Sequence, residues 1–162
     1  MLSWKYFDAS IRFASQFYIK NLLPFLPNET ITYVVLILIK MKKILVIEDS
    51  KQILENTAEL LELSNYVVYT AANGKIGVEQ ALANRPDLIL CDIMMPELDG
   101  YGVLHMVQNH PELQSIPFIF LTAKTEQSDL RKGMSLGADD YISKPFKLEE
   151  IESVLKKRML LV

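Results

Sequence analysis

Short apolar runs alternate with segments of helical spacing over most of the chain after residue 41. Three runs, 44–47, 88–91 and 118–121, are apolar at every position. Strands of this kind are typical of a parallel sheet that helices cover on both faces. We therefore predict strands at 43–47, 87–91 and 117–121. Two more amphipathic runs predict strands at 66–70 and 140–143, nearer the edges of the sheet.

The segments between and after these runs predict five helices. Ser50 is placed to cap the first, whose apolar residues extend from Ile53 to Leu63. The others are expected at 74–83, 100–109, 128–136 and 147–159, with apolar residues at helical spacing. Gly100 lies in a loop suited to positive φ, and Gly137 lies at the expected end of the fourth helix. Strand and helix alternating five times predict an α/β sheet with right-handed crossovers.

The first 40 residues differ from the rest of the chain. They are rich in aromatic residues and contain the apolar run ITYVVLILI at 31–39, which is about half the ~20 residues needed to span a bilayer. Three interpretations stay open: translation that truly starts at Met41, a partner-binding or dimerising arm, and a membrane-associated segment. We therefore expect an N-terminal extension at 1–40, weakly ordered, and one folded domain at 41–160.

Charge and cysteine content narrow the function classes. The formal net charge is −3, and the first 40 residues carry four basic and two acidic side chains, so the negative charge belongs to the folded domain. An acidic domain is a poor generic binder of nucleic acid, because phosphate contacts need clusters of Lys and Arg. The single cysteine, Cys91, cannot form an internal disulfide, which fits a reducing compartment.

Polar side chains follow four of the five predicted strands. Glu48 and Asp49 follow the first, Asp92 the third, Thr122 the fourth and Lys144 the fifth. In an open parallel sheet, ligands bind outside the carboxyl ends of the strands, so these groups are expected to converge. Each alone has a simpler explanation as a helix cap or turn residue. Their joint occurrence at four strand ends indicates a site.

The predicted cluster has the chemistry of phosphoryl transfer. Three close carboxylates repel one another and favour a cation, and hard oxygen ligands suit Mg²⁺. A carboxylate can attack phosphorus and form an aspartyl phosphate, for which a metal ion and a lysine supply counter-charge. We therefore predict Asp92 as the acceptor, Glu48 and Asp49 as metal ligands, Lys144 as the phosphoryl clamp and Thr122 as a hydroxyl donor.

The same residues carry a family resemblance. The segments ILVIEDS (44–50), DLILCDIMMPELDG (87–100), PFIFLTA (117–123) and GADDYISKPF (137–146) resemble the receiver domains of two-component response regulators, including stand-alone chemotaxis-type ones. The resemblance covers essentially all of 41–158. It implies a flavodoxin-like, doubly wound α/β fold, with a five-stranded parallel sheet of order 2-1-3-4-5 and five helices.

The resemblance also implies roles for individual residues. Asp92 matches the phosphoacceptor, and Met94 matches the position whose backbone carbonyl completes a Mg²⁺ site with Glu48, Asp49 and Asp92. Thr122 and Lys144 match the switch hydroxyl and the lysine of the family. Tyr141 matches an aromatic residue whose ring moves inward when the threonine shifts. The Lys144–Pro145 bond is usually cis in such proteins, and Met94 and Lys124 flank the phosphoryl site.

These implications lead to a functional expectation. We expect a phosphoacceptor switch of a two-component phosphorelay, cytoplasmic, phosphorylated at Asp92 by a sensor histidine kinase or phosphotransfer protein in the presence of Mg²⁺. It would not be an ordinary enzyme, since phosphotransfer and dephosphorylation are self-catalysed. Output would pass to a protein target through the face of the fourth helix, fifth strand and fifth helix, without direct DNA binding or membrane contact. A receiver fragment of a longer regulator and a non-phosphorylated docking pseudo-receiver remain alternatives.

Two enzyme or cofactor classes with related features fit less well. A haloacid-dehalogenase-type phosphatase needs a second aspartate two residues after the nucleophile, where this chain has Met94. A flavin-binding electron carrier shares the topology, but Glu48 and Asp49 would repel the flavin phosphate. His105 and His110 are placed away from the acidic cluster and are expected to have surface or packing roles.

Overall fold

The computed structural model describes residues 41–123, 131 and 133–159. The expectations for residues 1–40, for Lys124 and for the start of the fourth helix therefore lie outside the described residues. The strands are β1 (Lys43–Ile47), β2 (Val67–Ala71), β3 (Leu88–Asp92), β4 (Phe118–Ala123) and β5 (Asp140–Lys144). The helices are α1 (Lys51–Leu63), α2 (Gly74–Asn84), α3 (Gly100–Gln108) and α5 (Leu148–Met159). Residues 131 and 133–135 are helical and belong to the fourth helix, α4.

All five strands pair in parallel in the order β2-β1-β3-β4-β5. The fold class and strand order are thus as predicted. The three fully apolar runs form the central strands, and β1 is buried from Ile44 to Ile47 while every residue of β3 is buried. The two amphipathic runs form the edges: only Ala71 of β2 and Ile142 of β5 are buried. Burial on both faces explains why the central strands lack alternation.

Two apolar layers cover the two faces of the sheet. On one face, Val46, Leu90 and Ile142 pack with residues of α1 and α5 such as Leu54 and Ile151. The opposite face packs against α2 and α3, and its members are Ile47, Cys91, Phe118, Phe120, Val78, Ala81, Val103, Leu104 and Val107 among others. Because side chains alternate along a strand, each polar residue at a strand end can be assigned to one of these faces.

The first three helices begin close to the predicted positions, but the predicted cap of α1 is wrong. Asn73 caps α2 by accepting a hydrogen bond from the Ile76 amide at 2.9 Å, and Asp99 caps α3 through the Gly102 amide at 2.8 Å. Ser50 occupies the predicted capping position of α1, but its side chain makes no capping hydrogen bond. Its backbone amide instead donates to Glu48 Oε1 at 3.2 Å. Ser50 therefore helps to fix a residue of the predicted site.

The predicted roles of the two glycines separate in the structure. Gly137 has a φ of 93° at the end of α4, as predicted. The expected positive φ at Gly100 is wrong, because Gly100 is the first residue of α3, and it is Glu97 in the preceding loop that has a φ of 66°. The Lys144–Pro145 bond is cis, as expected. No helix in the described part of the chain is both long enough and apolar enough to cross a bilayer.

Candidate functional site

The carboxyl ends of the central strands carry three acidic side chains that meet in space. Asp92 is the last residue of β3, while Glu48 and Asp49 directly follow β1, its neighbour in the sheet. One carboxylate oxygen from each of the three lies within 4.8 Å of the other two. Glu48 and Asp92 are buried, whereas Asp49 is exposed. The structure thus brings together the three carboxylates that sequence reasoning assigned to one site.

Burial and mutual repulsion act on these carboxylates in the same direction. Desolvation is the main cause that raises the pKa of Glu48, and the nearby Asp92 charge raises it further. Desolvation likewise raises the pKa of Asp92, and the Asp49 carboxylate adds to that rise. Hydrogen bonds from Lys144 oppose both shifts without cancelling them. Two buried acids held in this way favour a cation beside them.

Lys144, the last residue of β5, supplies one cation from within the chain. Its Nζ donates to Asp92 Oδ1 at 2.7 Å and also to Glu48 Oε2. The lysine side chain is 17% exposed, and those of Asp92 and Glu48 are 8% and 2% exposed. Burial alone would lower the pKa of Lys144, but its bonds to the two carboxylates outweigh that effect and raise the pKa. Lys144 is therefore protonated and positively charged, and its ammonium group is hydrogen-bonded directly to the predicted acceptor.

The predicted site residues divide between the two faces of the sheet. Asp92 and Lys144 are each two positions beyond a residue of the layer under α1 and α5, namely Leu90 and Ile142. They therefore point to that face at the end of their strands. Thr122 is two positions beyond Phe120, which belongs to the opposite layer. The acceptor and lysine thus emerge on one face, and the hydroxyl on the other.

Thr122 and Tyr141 lie on the same side of the sheet. Thr122 is 1% exposed, and Tyr141 is 41% exposed. Tyr141 pairs in register with Phe120, and Thr122 pairs with Ser143, so the aromatic ring of Tyr141 and the hydroxyl belong to neighbouring positions on β4 and β5. This placement is compatible with the predicted coupling of the two residues. Their roles as switch residues remain predictions.

The loop between β3 and α3 is packed tightly beside the acceptor. The Gly100 amide donates to the Ile93 carbonyl at 3.0 Å, which closes the loop. Within it, Met94 is 64% exposed and Met95 is buried. Glu97 forms an ion pair with Lys75 of α2 at 2.8 Å. The role predicted for the backbone carbonyl of Met94 remains a prediction. The ion pair between Glu97 and Lys75 was not predicted, because only the opposite charges of the two residues point to it in the sequence.

The donor set fits a hard divalent cation. Three carboxylates from two adjacent strand ends provide oxygen ligands and a net negative charge that one lysine does not neutralise. Mg²⁺ prefers such oxygen donors and retains water in addition. Neither histidine contacts the cluster: the His105 ring lies beside Asn109, and His110 Nδ1 accepts from the Glu112 amide at 3.3 Å. The nitrogen and sulfur ligands typical of zinc are therefore missing from this set of described residues.

Comparison with known proteins agrees with this geometry. The family model of the response regulator receiver domain matches residues 44–156. The alkaline phosphatase synthesis transcriptional regulatory protein PhoP of Bacillus subtilis is 40% identical over 115 residues, which are 71% of this chain and 47% of PhoP. Response regulator ArlR of Staphylococcus saprophyticus is 40% identical over 111 residues, 68% of this chain and 49% of ArlR. The chain spans about half the length of these curated relatives.

Solved structures give the same result. A putative response regulator from Chloroflexus aurantiacus superposes with a TM-score of 0.72 at 31% identity, over 75% of this chain and 99% of that one. The receiver domain of sensor histidine kinase PA1611 from Pseudomonas aeruginosa, which has a magnesium ion coordinated in its active site cleft, gives 0.69 at 31% identity, over 74% and 98%. The chain belongs to the response regulator receiver domain family.

Proposed function

We propose that this receiver domain is a phosphorylation switch in which Asp92 accepts a phosphoryl group in the presence of Mg²⁺. The observation that carries the proposal is the grouping of three carboxylates within 4.8 Å with the Lys144 ammonium bound directly to Asp92. A structural salt bridge needs only one carboxylate and one ammonium. The second buried carboxylate, Glu48, adds desolvation and repulsion that a purely structural ion pair would avoid. Such an unfavourable arrangement is expected where a site serves a function.

The proposed transfer is a substitution at phosphorus. A carboxylate oxygen of Asp92 forms the new bond to phosphorus while the bond from phosphorus to a histidine nitrogen of the donor breaks, and the nitrogen keeps the electron pair. With acetyl phosphate as donor, acetate leaves instead. Lys144 can stay within reach of the transferred group, because its ammonium already contacts the acceptor at 2.7 Å. Thr122 is the proposed hydroxyl donor to a phosphoryl oxygen.

Glu48, Asp49, Asp92 and the backbone carbonyl of Met94 are the groups proposed to hold Mg²⁺. The bound ion supplies positive charge to the oxygens of the phosphoryl group in transfer. Support comes from the oxygen-only donor set and from the magnesium coordinated in the related PA1611 receiver domain. The pKa values of the Glu48 and Asp92 carboxyl groups are raised. Protons therefore compete with the metal ion for these two groups at a higher pH than they would at ordinary carboxyl groups.

A sensor histidine kinase or phosphotransfer protein is the proposed phosphodonor. A groove of about 310 Å³ lies between α1 and the loop that follows β5, and Lys144 is part of its lining. Its other residues are Ile53, Asn56, Thr57, Leu60, Pro145 and Phe146. Because Lys144 contacts both this groove and Asp92, a donor seated in the groove would place its phosphohistidine near the acceptor.

Output is proposed to pass to a downstream protein through the face formed by α4, β5 and α5. Phosphoryl oxygens would recruit Thr122 and Lys144, and Tyr141 would move into the space that Thr122 leaves. Phosphorylation can shift such an equilibrium only by stabilising one state more than the other. PhoP is named as a transcriptional regulatory protein, so attachment to an output module in a longer regulator is a second form of the same function.

The experiment is phosphorylation by acetyl phosphate with Mg²⁺, followed by intact mass. The expected result is one added phosphoryl group in the wild type and none in Asp92→Asn. Glu55→Gln is the control, since Glu55 is an exposed carboxylate on α1.

A second experiment follows the NMR spectrum on addition of beryllofluoride. Beryllofluoride should shift the amide signals around Thr122 and Tyr141 in the wild type and leave them unchanged in Asp92→Ala. A wild type that takes up no phosphoryl group from acetyl phosphate or a kinase would favour the docking pseudo-receiver.

A further inference from the structure

The loop between β3 and α3 lies against the start of α2. This loop, residues 93–99, contains Met94, whose backbone carbonyl is proposed to bind Mg²⁺. A Cβ atom on Gly74, the first residue of α2, would clash with the backbone carbonyl oxygen of Leu98 and lie 3.0 Å from the Leu98 Cβ. The backbone of the loop therefore touches the first turn of α2, and a shift at this contact would displace the segment that carries Met94.

Lys75 and Glu97 make a second contact between the same two segments. Lys75 Nζ donates to Glu97 Oε2 at 2.8 Å, and the two side chains are 66% and 68% exposed. This hydrogen bond is the main cause that lowers the pKa of Glu97, and it also raises the pKa of Lys75. Both groups are therefore charged at neutral pH, and their attraction acts between α2 and the loop.

Each partner of this ion pair occupies a position that is unfavourable by itself. Lys75 is the second residue of α2, where the positive end of the helix dipole disfavours a cation. Glu97 has a φ of 66°, in the left-handed region that residues with a Cβ atom rarely adopt. The ion pair offsets both effects, because it places a carboxylate at the start of α2 and ties Glu97 in its loop conformation. Strained residues of this kind are frequent at ligand sites.

The inner and outer sides of the loop are held by different contacts. Met95 is buried in the apolar layer under α2 and α3, and Leu98 packs against the same layer. These two side chains fix the inner side. Met94 is 64% exposed, and Glu97 is on the exposed side as well. Lys75 therefore supplies a contact to the part of the loop that the core does not hold.

We infer that Lys75 is a positioning residue, which acts through Glu97 to hold the loop between β3 and α3 in the conformation that presents the Met94 carbonyl to Mg²⁺. This inference rests on the proposed function. It concerns a residue outside the carboxylate cluster and leaves the proposed metal ligands unchanged. Because the ion pair is exposed, its effect is modest and weakens as salt is added.

The test is the Mg²⁺ affinity of Lys75→Met, measured by NMR titration, because charge and positioning predict opposite signs. Removal of a positive charge beside the site should by itself strengthen the binding of a cation. Loss of a positioning contact should instead weaken binding, by about twofold to fivefold at low salt, as expected for an exposed ion pair. The loss should disappear at about 1 M salt, where the screening length falls to about 3 Å.

Lys51→Met is the matched control for the loss of charge. Lys51 is the first residue of α1, which begins directly after the acidic pair, and its side chain is 85% exposed. Its ion-pair partner is Glu55 of the same helix, at 3.7 Å, so the pair does not hold the loop. The Mg²⁺ affinity of Lys51→Met should therefore equal or exceed that of the wild type.

Hydrogen exchange in the absence of Mg²⁺ gives a second readout. The amides of Leu98 and Gly100 donate to carbonyl groups of the loop at 2.8 and 3.0 Å, so both report on its closure. Both should exchange about twofold to fivefold faster in Lys75→Met than in the wild type, and at the wild-type rate in Lys51→Met. A Mg²⁺ affinity in Lys75→Met that equals or exceeds the wild type, or unchanged exchange at both amides, would overturn the inference. A wild type that binds Mg²⁺ but accepts no phosphoryl group would instead contradict the proposed function.

Discussion

Gly100 lies so close to Asp92 that a Cβ atom on Gly100 would stand 2.3 Å from the backbone carbonyl oxygen of Asp92. The same Cβ would lie 2.9 Å from the Cα of Ile93. Both neighbours are backbone atoms, which cannot rotate away as a side chain can. The first turn of α3 therefore approaches the acceptor strand at a distance that only glycine allows.

Gly100→Ala should destabilise the domain by about 1–3 kcal/mol, the usual cost of overpacking a close contact. The shift of the loop should also slow phosphorylation of Asp92. Urea unfolding and the acetyl phosphate reaction measure the two effects. Gly102→Ala is the control, because its Cβ would meet the mobile Cδ1 of Leu98 at 2.5 Å and alanine is the better helix former. Equal losses in the two variants would count against a special contact at Gly100.

The groove beside Lys144 leads to a prediction about the phosphodonor. Asn56 is an exposed residue of α1 that lines the groove. Asn56→Arg should slow transfer from a phosphorylated kinase or phosphotransfer protein by at least about tenfold, since a bulky charge in an interface commonly costs more than 1.4 kcal/mol. Phosphorylation by acetyl phosphate, which needs no docking surface, should be unchanged.

The control for this prediction is an equal substitution on another side of the domain. Ile76 on α2 is 39% exposed and its helix packs on the opposite face of the sheet. Ile76→Arg should leave both reactions at the wild-type rate. Loss of the acetyl phosphate reaction in Asn56→Arg would show damage to the site itself and would remove the case for docking in the groove.

An ion pair joins the start of β5 to the end of α5. Arg158 donates to Asp140 Oδ2 from Nε at 3.1 Å and from Nη2 at 2.9 Å, and the two side chains are 23% and 18% exposed. Partly buried, charge-assisted hydrogen bonds are stronger than surface pairs. Arg158→Ala should therefore lower the free energy of unfolding by about 1–3 kcal/mol.

Lys157 provides the matched comparison for Arg158. It contacts the same carboxylate oxygen at 3.6 Å, but its side chain is 64% exposed. Lys157→Ala should change the unfolding free energy by less than about 0.5 kcal/mol. Urea titrations at low and high salt check both values. A loss for Lys157→Ala as large as that for Arg158→Ala would mean that net charge, not hydrogen-bond geometry, is responsible.

Strand topology made one part of the site predictable from the sequence, and side-chain reach made another part unpredictable. Residues at the ends of parallel strands must share an edge, so the meeting of Asp92 with Glu48 and Asp49 was predictable. The predicted ends of β3 and β5 fall one residue before the observed ends at Asp92 and Lys144. Apolar patterning marks buried residues, whereas the hydrogen bonds between strands continue into the polar residues that follow. The bond from Lys144 to Glu48 spans three strand positions and depends on side-chain reach, which no sequence pattern records.

Cys91 gives a prediction about the pH dependence of stability. It is the residue before Asp92 in β3 and has 0% exposure. Burial raises the pKa of its thiol well above the ordinary value, and the Asp92 and Glu48 charges add to the rise. The folded state therefore keeps the neutral thiol, while the unfolded chain ionises it near a pKa of about 8.5. The stability from the protonated thiol is complete below that pH and is lost as pH rises through it.

The expected loss is about 1.4 kcal/mol of unfolding free energy for each pH unit above about 8.5, until the thiol ionises in the folded state. Cys91→Ala removes this contribution, so the difference in unfolding free energy between the wild type and the variant should narrow as the pH rises above about 8.5, where the thiol of the unfolded chain ionises. In the same range a thiol reagent should label native Cys91 far more slowly than the urea-unfolded chain. Rapid labelling without denaturant, or a pH-independent difference, would contradict a neutral buried thiol beside the acceptor.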